Sequence, residues 1–325
     1  MNDVVRNRIY ASFSGGGVPL AELCRGLLSE QQRSWPELKQ AYDSLNAVRS
    51  RSVECDGFSV RLVFNPGRAV NTTAAVSPEE IRERPCFLCS ANLPSGQKGI
   101  LYRREFLILG NPRPAVPFHL TIAHLDHRPQ ALCEHIETFL KITADLGRGF
   151  TTLYNGPRCG ASAPDHLHFQ AVPSGQMPIE EELESTANFI PLNSGSETRG
   201  VPVRRATGLG REALLIEGDD ASLIAAAFRD YMDTLTEPAT KEGPREEPMI
   251  NAAASLSGKA WRLLVFPRRA HRPAAFYRDD AHRIVVSPAV MEMGGIIVTP
   301  VERDFDRLDA PTIESIYREV SLADT

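Results

Sequence analysis

The segment at residues 166–170, with the sequence HLHFQ, constrains the fold more than any other part of the chain, because its polar and apolar residues alternate strictly. Alternate side chains of a β-strand point to the same face, so His166, His168 and Gln170 would share one face of a sheet while the two apolar residues between them pack into a core. Two imidazoles and an amide directed at one point suit a neutral imidazole nucleophile beside a hydrogen-bonding group. Two histidines with purely structural hydrogen bonds would show the same five residues, so the segment alone leaves both interpretations open.

The loop before this strand, residues 155–165, consists mainly of small, polar and turn-forming residues. Successive backbone N–H groups in such a loop can bind phosphate oxygens, and the Ser162 hydroxyl can add a further donor. A plain connecting loop is the alternative, but its position directly before a paired-histidine strand favours a phosphate site. The other candidates for phosphate contact in the loop are Asn155, Arg158 and Gly160. The candidate catalytic residues are His168, Gln170 and Ser162.

Cys86 and Cys89 are separated by two residues, a spacing that suits two thiolate ligands of one tetrahedral ion. The histidines that could complete such a site are His119, His124, His127 and His166. A site formed by the two cysteines with His127 and His166 would tie a loop to the sheet and hold His166 rigid, as a structural metal does. A redox pair, or free thiols beside surface histidines, are the alternatives.

Composition limits the classes of function. The net charge of −5 disfavours a general nucleic-acid binder, which needs a basic face, although a local cluster of positive groups could still bind an anionic ligand. No run of eighteen apolar residues is present, so no membrane span is expected. The first residues lack a charged start followed by an apolar stretch, so we expect a cytoplasmic protein. The four isolated cysteines are expected to be small buried residues in a reducing compartment.

The order of predicted elements favours an α+β fold with antiparallel sheets and few helices. A chain of 325 residues is long for one small core, and its second half again shows strands around few helices, without a letter-level repeat of the first. We therefore expect a helical N-terminal extension at residues 1–50 and a first sheet-containing half at 51–173. A linker or mobile excursion at 174–210 would lead to a second sheet-containing half at 211–325. Strands are predicted at 105–109, 119–124, 150–154, 166–172, 213–217, 248–254, 261–266 and 291–299. Longer helices are predicted at 131–146, 220–236 and 311–320.

Residues 155–170 resemble the signature of the histidine-triad superfamily, in the branch that has a glutamine in place of the third histidine. That branch contains galactose-1-phosphate uridylyltransferase, the diadenosine tetraphosphate phosphorylases and the sugar-nucleotide phosphorylases. The resemblance implies two histidine-triad-like halves and a nucleophilic second histidine, which is His168. It also implies that the paired cysteines are half of a zinc site that His127 completes, with iron as the other candidate ion, and that Asn111 binds ribose.

Weaker similarity to this branch extends over about residues 60–320. Within it, residues 64–68 and 266–273 resemble an uncharacterised bacterial family of the same branch. Two departures, the additional Asp165 before the first histidine and HLH in place of HPH, argue against uridine and galactose and favour the phosphorylase members. The positive groups that could bind phosphate are Arg68 and the basic cluster at residues 268–272. Our hypothesis is that Arg269 and Arg272 of this cluster bind a sugar phosphate or inorganic phosphate; a solvated strand end is the alternative.

These observations predict a nucleotidyltransferase of the phosphorylase or uridylyltransferase type. His168 would attack a nucleoside diphosphate sugar or a dinucleoside polyphosphate, form a covalent nucleotidyl-histidine, and pass the nucleotide to a phosphate-type acceptor in a ping-pong reaction. A hydrolase of the same superfamily is the first alternative, which Gln170 disfavours because hydrolytic branches carry a third histidine there. A zinc-stabilised nucleotide-binding module without turnover is the second. Homodimers are frequent in the branch, so a dimer is also considered.

Overall fold

The computed structural model describes residues 3–73, 78–185, 188–192, 201–235 and 246–322, and it confirms an α+β fold. The strands are β1 (Ile9–Phe13), β2 (Arg49–Glu54), β3 (Ser59–Phe64), β4 (Gly99–Tyr102), β5 (Phe106–Gly110), β6 (Leu120–His124), β7 (Phe150–Asn155), β8 (His168–Pro173), β9 (Asn188–Pro191), β10 (Val203–Thr207), β11 (Ala213–Gly218), β12 (Ile250–Ser257), β13 (Ala260–Pro267) and β14 (Ile296–Thr299). The helices are α1 (Asp3–Arg6), α2 (Leu20–Ser34), α3 (Pro36–Asp43), α4 (Ala69–Thr72), α5 (Pro78–Glu83), α6 (Ile136–Leu146), α7 (Pro178–Ser185), α8 (Ala221–Leu235), α9 (Val290–Met293), α10 (Glu302–Arg307) and α11 (Ala310–Val320).

The two halves share one eleven-stranded sheet with the order β1-β4-β5-β6-β8-β7-β12-β13-β11-β10-β9. Within it β1 and β4 are parallel, and the other neighbouring strands are antiparallel. The halves meet where β7 pairs with β12, a register that sets Asn155 opposite Asn251. Residues at the end of β7 and the start of β12 therefore lie at the junction between the halves.

Helices α2, α6 and α8 cover one face of this sheet, because each presents an apolar stripe to it. In α6 the buried residues Ile136, Phe139, Leu140 and Thr143 recur at helical spacing. The two apolar residues of the HLHFQ segment pack on this side and are fully buried, as the alternation predicts. The opposite face of β8, which carries His168, is consequently directed away from these helices.

The second face of the large sheet is covered by a small sheet of order β14-β3-β2 and by helices α7, α9, α10 and α11. A second apolar core lies between these layers, with Val60, Leu62, Ile296 and Tyr317 among its buried residues. The small sheet joins a strand from near the start of the chain to one near its end, since β3 and β14 pair in parallel. This layer therefore lies on the face of β8 that carries His168.

Several elements differ from the sequence-based expectation. The extension predicted as helical also contains β1 and the first two residues of β2, and residues 174–210 contain α7, β9 and β10. The strand predicted at 291–299 begins with the helical turn α9, because the Glu292 carboxylate accepts a hydrogen bond from the Ala289 N–H and caps that turn. Residues 193–200 of the predicted linker or excursion lie outside the described residues. No helix among the described residues has the length and apolar character needed to span a bilayer.

Candidate active site

A cavity of about 940 Å³ lies between the large sheet and the segment that leads into β14. Both halves line it: His168 and Gln170 come from β8, whereas Arg272 and Glu292 come from the second half. The N-terminal extension, whose role the sequence does not indicate, contributes Trp35. Four arginines and two glutamates are among its described lining residues, an excess of positive charge in a chain whose net charge is −5. The cavity is thus suited to an anion.

The imidazole of His168 is oriented by the backbone immediately before it. Its Nδ1 lies 2.8 Å from the carbonyl oxygen of His166. A carbonyl oxygen can only accept, so Nδ1 carries the proton and Nε2 keeps its lone pair. Burial lowers the pKa of His168 to about 4, which leaves the ring neutral near pH 7. His168 is therefore a neutral imidazole at the wall of the cavity, as a nucleophile must be.

The side chain of Gln130 fixes the backbone of His168 by hydrogen bonds. Its Oε1 accepts from the His168 N–H at 2.8 Å, and its Nε2 donates to the His168 carbonyl at 2.9 Å and to the Asn155 carbonyl at 3.0 Å. The Gln130 side chain is buried. It therefore ties the start of β8 to the end of β7 and holds the candidate nucleophile beside the loop between these strands.

The predicted metal ligands converge: single ligand atoms of Cys86, Cys89, His127 and His166 all lie within 4.8 Å of one another. The Nδ1 of His166 is 3.3 Å from the sulfur of Cys86 and 3.6 Å from that of Cys89. The Nδ1 of His127 is 3.3 Å from the Cys89 sulfur. A tetrahedral ion with Zn–S bonds of about 2.3 Å and Zn–N bonds of about 2.0–2.1 Å separates S and N by about 3.5 Å, so the cluster could hold such an ion.

The other nitrogens of the two histidines are also arranged as in metal sites. His166 donates from Nε2 to the His124 carbonyl at 2.8 Å, which leaves Nδ1 unprotonated. His127 directs Nε2 towards the Asp165 carboxylate at 3.5 Å. Such outer partners fix the tautomer of a ligating imidazole. The cluster would act on His168 indirectly, since it holds His166, whose carbonyl orients the His168 ring.

His166 does not share the cavity face with His168 and Gln170, although strict alternation along one strand predicts that it should. The strand begins only at His168, and His166 lies in the bend before it with its ring fully buried. The backbone changes direction there because the Leu167 N–H bonds to the Arg128 carbonyl, outside the ladder of the strand. The three polar side chains are therefore divided between the metal cluster and the cavity.

The loop before β8 lines the cavity with Asn155, Gly160 and Ser162. Gly160 has a φ of +110°, and a Cβ there would lie 2.6 Å from the Cβ of Ala289, so only glycine fits. The Asn155 Oδ1 accepts from the Asn251 amide at 2.9 Å and from the Val290 N–H at 2.8 Å. Hydrogen bonds from the second half thus fix the end of β7, from which this loop begins.

The side chains of Asn111 and Arg68 also reach the cavity. Asn111 follows β5, where it donates to the Thr121 hydroxyl at 3.1 Å and accepts from the Arg113 N–H at 2.9 Å. Arg68 donates to the Arg113 carbonyl at 2.7 Å. These contacts hold the two side chains at one wall.

The predicted arginines of the loop and of the basic cluster are separated by the fold. Arg272 lines the cavity, where it donates to the Ser287 hydroxyl at 2.9 Å and stacks over the Phe276 ring at 4.2 Å. Arg269 is not among the cavity residues, because its guanidinium donates to the Ser321 carbonyl at the end of α11. Arg158 is also absent from that lining, because its guanidinium pairs with Glu246 at 3.3 Å.

Arg268 of the same basic cluster makes hydrogen bonds within the protein. It is buried, and its guanidinium donates to the Asn251 side chain and to the Pro288 carbonyl at 3.0 Å. Asn251 in turn holds Asn155, so a chain of hydrogen bonds links the cluster to the loop. Three further residues of the site were not predicted, namely Gln130, Arg84 and Glu292, and His119 was predicted only as a candidate metal ligand. None of these belongs to a recognisable local motif, and their roles depend on contacts between distant segments.

Comparison with known proteins gives matches to two family models and to solved structures. Residues 27–173 match the model described as a domain of unknown function (DUF4922), and residues 250–325 match the GDPGP1-like, C-terminal domain. Yeast Ap4A phosphorylase Apa2 aligns with a TM-score of 0.57 over 89% of this chain and 95% of that chain, at 17% sequence identity. The chain has the Ap4A phosphorylase fold.

Two further structures of the yeast enzyme carry nucleotides. Its complex with Ap4A aligns with a TM-score of 0.54 over 91% of this chain and 98% of that one, at 14% identity. Its complex with AMP gives 0.54 over 89% and 97%, at 17% identity. No curated protein sequence matches the chain. The Ap4A phosphorylase fold extends over both halves of the chain, in agreement with the predicted similarity to the phosphorylase branch.

Proposed function

We propose that the protein is a nucleotidyltransferase that cleaves dinucleoside polyphosphates or nucleoside diphosphate sugars by phosphorolysis, with His168 as the covalent nucleophile. The observation that carries this proposal is the neutral His168 ring with an unprotonated Nε2, held at the wall of a cavity rich in arginine. The cavity of about 940 Å³ is near the upper end of the roughly 300–1,000 Å³ typical of ligand sites, which favours a substrate with two large ends.

In the first step, Nε2 of His168 forms a bond to the α-phosphorus, and the bond from that phosphorus to the bridging oxygen breaks. The bridging oxygen keeps the electron pair and leaves with a nucleoside polyphosphate or a sugar phosphate. In the second step, an oxygen of inorganic phosphate attacks the same phosphorus. The electron pair of the P–N bond returns to Nε2, and a nucleoside diphosphate is released.

Four groups would stabilise the negative charge that develops on the transferred phosphoryl group. The Ser162 hydroxyl, the loop amides around Gly160 and the Gln170 amide are neutral donors at the cavity wall, and Arg68 supplies a positive charge. Each such donor is expected to be worth about 2.7–4 kcal/mol in the transition state. Asn111 and Asn155 line the same cavity and would bind the nucleoside.

Arg272 is the candidate for binding the acceptor phosphate. It comes from the second half and reaches the cavity that His168 lines from the first. Its guanidinium donates to the Thr72 carbonyl at 3.2 Å in addition to the Ser287 hydroxyl, so the charge is held in one place. A fixed positive charge at this position would select phosphate over water as the acceptor, which distinguishes a phosphorylase from a hydrolase.

We further propose that the Cys86–Cys89–His127–His166 cluster binds zinc as a structural ion. The donor set of two thiolates and two imidazoles is the one that closed zinc sites use. Bound zinc would supply rigidity, because it would fix the loop of Cys86 and Cys89 to His166 and thereby the carbonyl that orients His168.

The test is a panel of dinucleoside tetraphosphates and nucleoside diphosphate sugars, incubated with and without phosphate. We expect a nucleoside diphosphate product that requires phosphate, loss of turnover in His168→Ala, and normal turnover in the matched variant His282→Ala, whose side chain is exposed. Nucleoside monophosphate released without phosphate would instead support a hydrolase. Turnover that persists in His168→Ala would reject His168 as the nucleophile.

A further inference from the structure

His119 lies fully buried behind Gln170, one strand away from the candidate nucleophile. It directly precedes β6, which pairs with β8, and the register of this pair sets Thr121 opposite Gln170. The Nε2 of His119 is 2.6 Å from the Oε1 of Gln170, and its Nδ1 is 3.2 Å from the backbone nitrogen of Ala115. The ring therefore spans from a backbone N–H on one side to a catalytic side chain on the other.

These two contacts determine where the His119 proton lies. The backbone N–H of Ala115 can only donate, so Nδ1 must accept and must be unprotonated. The neutral ring then carries its proton on Nε2. Burial lowers the pKa of His119 to about 3, and Arg68 acts in the same direction, so the ring stays neutral near pH 7.

The tautomer of His119 in turn determines the orientation of the Gln170 amide. The partner of a protonated Nε2 must be an acceptor, which is the Oε1 of Gln170. The oxygen of this amide is therefore directed at His119, and the nitrogen, with its two N–H groups, remains for the cavity that Gln170 lines. The opposite orientation would place a carbonyl oxygen against a phosphate oxygen, which is repulsive.

We propose that His119 is a positioning residue for nucleotidyl transfer: the ordered sequence of Ala115 N–H, His119 and Gln170 holds the amide nitrogen of Gln170 ready to donate to the transferred phosphoryl group. This inference rests on the proposed function, because the role of Gln170 does. It assigns a function to a buried histidine of the cavity wall that does not belong to the metal cluster.

The test combines single and double variants. We expect His119→Leu to lower kcat by about 10- to 100-fold with a much smaller change in KM, because the free amide can rotate to the unproductive orientation. His119→Gln keeps a side-chain N–H donor and should recover much of this loss. Gln170→Glu keeps the acceptor for His119 but has no donor for phosphate, so its kcat should fall at least as far as that of Gln170→Ala.

The decisive comparison is the double variant. If His119 acts through Gln170, then His119→Leu should have no further effect on kcat once Gln170→Ala is present. Substrates with sulfur in place of either non-bridging α-oxygen should give a second measure, since both single variants should shift the rate ratio of the two diastereomers in the same direction. The inference would be wrong if the reductions of kcat in His119→Leu and Gln170→Ala multiply in the double variant and the diastereomer ratio is unchanged in His119→Leu. The role of His119 would then be merely structural.

A measurement without turnover separates this inference from the proposed function. Nitrogen-15 NMR of the full-length protein at pH 7 should show His119 as the tautomer protonated at Nε2, and the Gln170 amide resonances should shift in the folded variants His119→Leu and His119→Gln. A proton on Nδ1 of His119 would overturn the inference even if the enzyme is active. The expected tautomer in a protein that turns over none of the substrates would overturn the proposed function, and with it the catalytic role of His119.

Discussion

Substitution of Gly160 by alanine tests whether the loop before β8 is packed tightly against the second half. The backbone there has a φ of +110°, which costs a residue with a Cβ about 1–3 kcal/mol. The added Cβ would lie 2.6 Å from the Cβ of Ala289, well inside contact distance, and such overpacking costs about 1–3 kcal/mol more. We therefore expect Gly160→Ala to lower the free energy of unfolding by about 2–6 kcal/mol.

Gly258 provides the matched control, because its φ is +63° and a Cβ there would meet nothing within 4 Å. Gly258→Ala should cost only about 1–2 kcal/mol. Thermal unfolding can resolve the difference: an unfolding entropy of about 2.1 cal/mol/K per residue over 325 residues corresponds to about 1.5 °C per kcal/mol. We expect Tm to fall by about 3–9 °C in Gly160→Ala and by about 1.5–3 °C in Gly258→Ala.

The contact itself can be isolated with Ala289→Gly, which removes the atom that the new Cβ meets. In the Gly160→Ala background this substitution should recover about 1–3 kcal/mol relative to its effect in the wild type. A Tm for Gly160→Ala no lower than that of Gly258→Ala, or the absence of coupling with Ala289→Gly, would refute the packing of this loop against the second half.

Three further predictions concern the metal cluster, the acceptor site and the start of β8. Cys86→Ser should lower both the bound zinc measured by mass spectrometry and kcat, whereas Cys55→Ser, outside the cluster, should retain both; equal zinc content in the two variants would contradict the site. Arg272→Ala should raise KM for phosphate at least about tenfold, as expected for one lost charged hydrogen bond, while Arg158→Ala should change it less than about twofold; equal effects would reject the acceptor site. Gln130→Leu should lower kcat without loss of zinc, because it frees the backbone of His168 and the Asn155 carbonyl but no residue of the metal cluster; an unchanged kcat would show that these hydrogen bonds are dispensable.

The parts of the fold that the sequence predicts are those whose residues carry a local pattern. The buried stripe of α6 and the alternation along β8 are both visible within a few residues, and both elements are present. Strand β1 is different, because its five residues pair in parallel with β4, about ninety residues further along the chain. Nothing local distinguishes such a short strand from the start of a helix, so its existence depends on a partner that the pattern does not reveal.

The candidate site shows the same division. The spacing of Cys86 and Cys89 and the paired histidines predict a metal cluster and a nucleophile from local motifs. The arginines are harder to place, since Arg269 and Arg272 are three residues apart yet one bonds to the end of α11 and the other reaches the cavity. Which of them faces the substrate depends on how the chain turns after β13, and that is determined by packing between the halves.

The most direct test of the account is to identify the atom that receives the nucleotide. Protein incubated without phosphate, with a dinucleoside tetraphosphate or nucleoside diphosphate sugar that the panel shows it to cleave, should gain the mass of one nucleoside monophosphate. Peptide mass spectrometry should locate it on His168, with a phosphorus resonance typical of a P–N bond that disappears when phosphate is added. An adduct on any other residue, or turnover with no adduct at His168 on the time scale of a single catalytic cycle, would contradict the account.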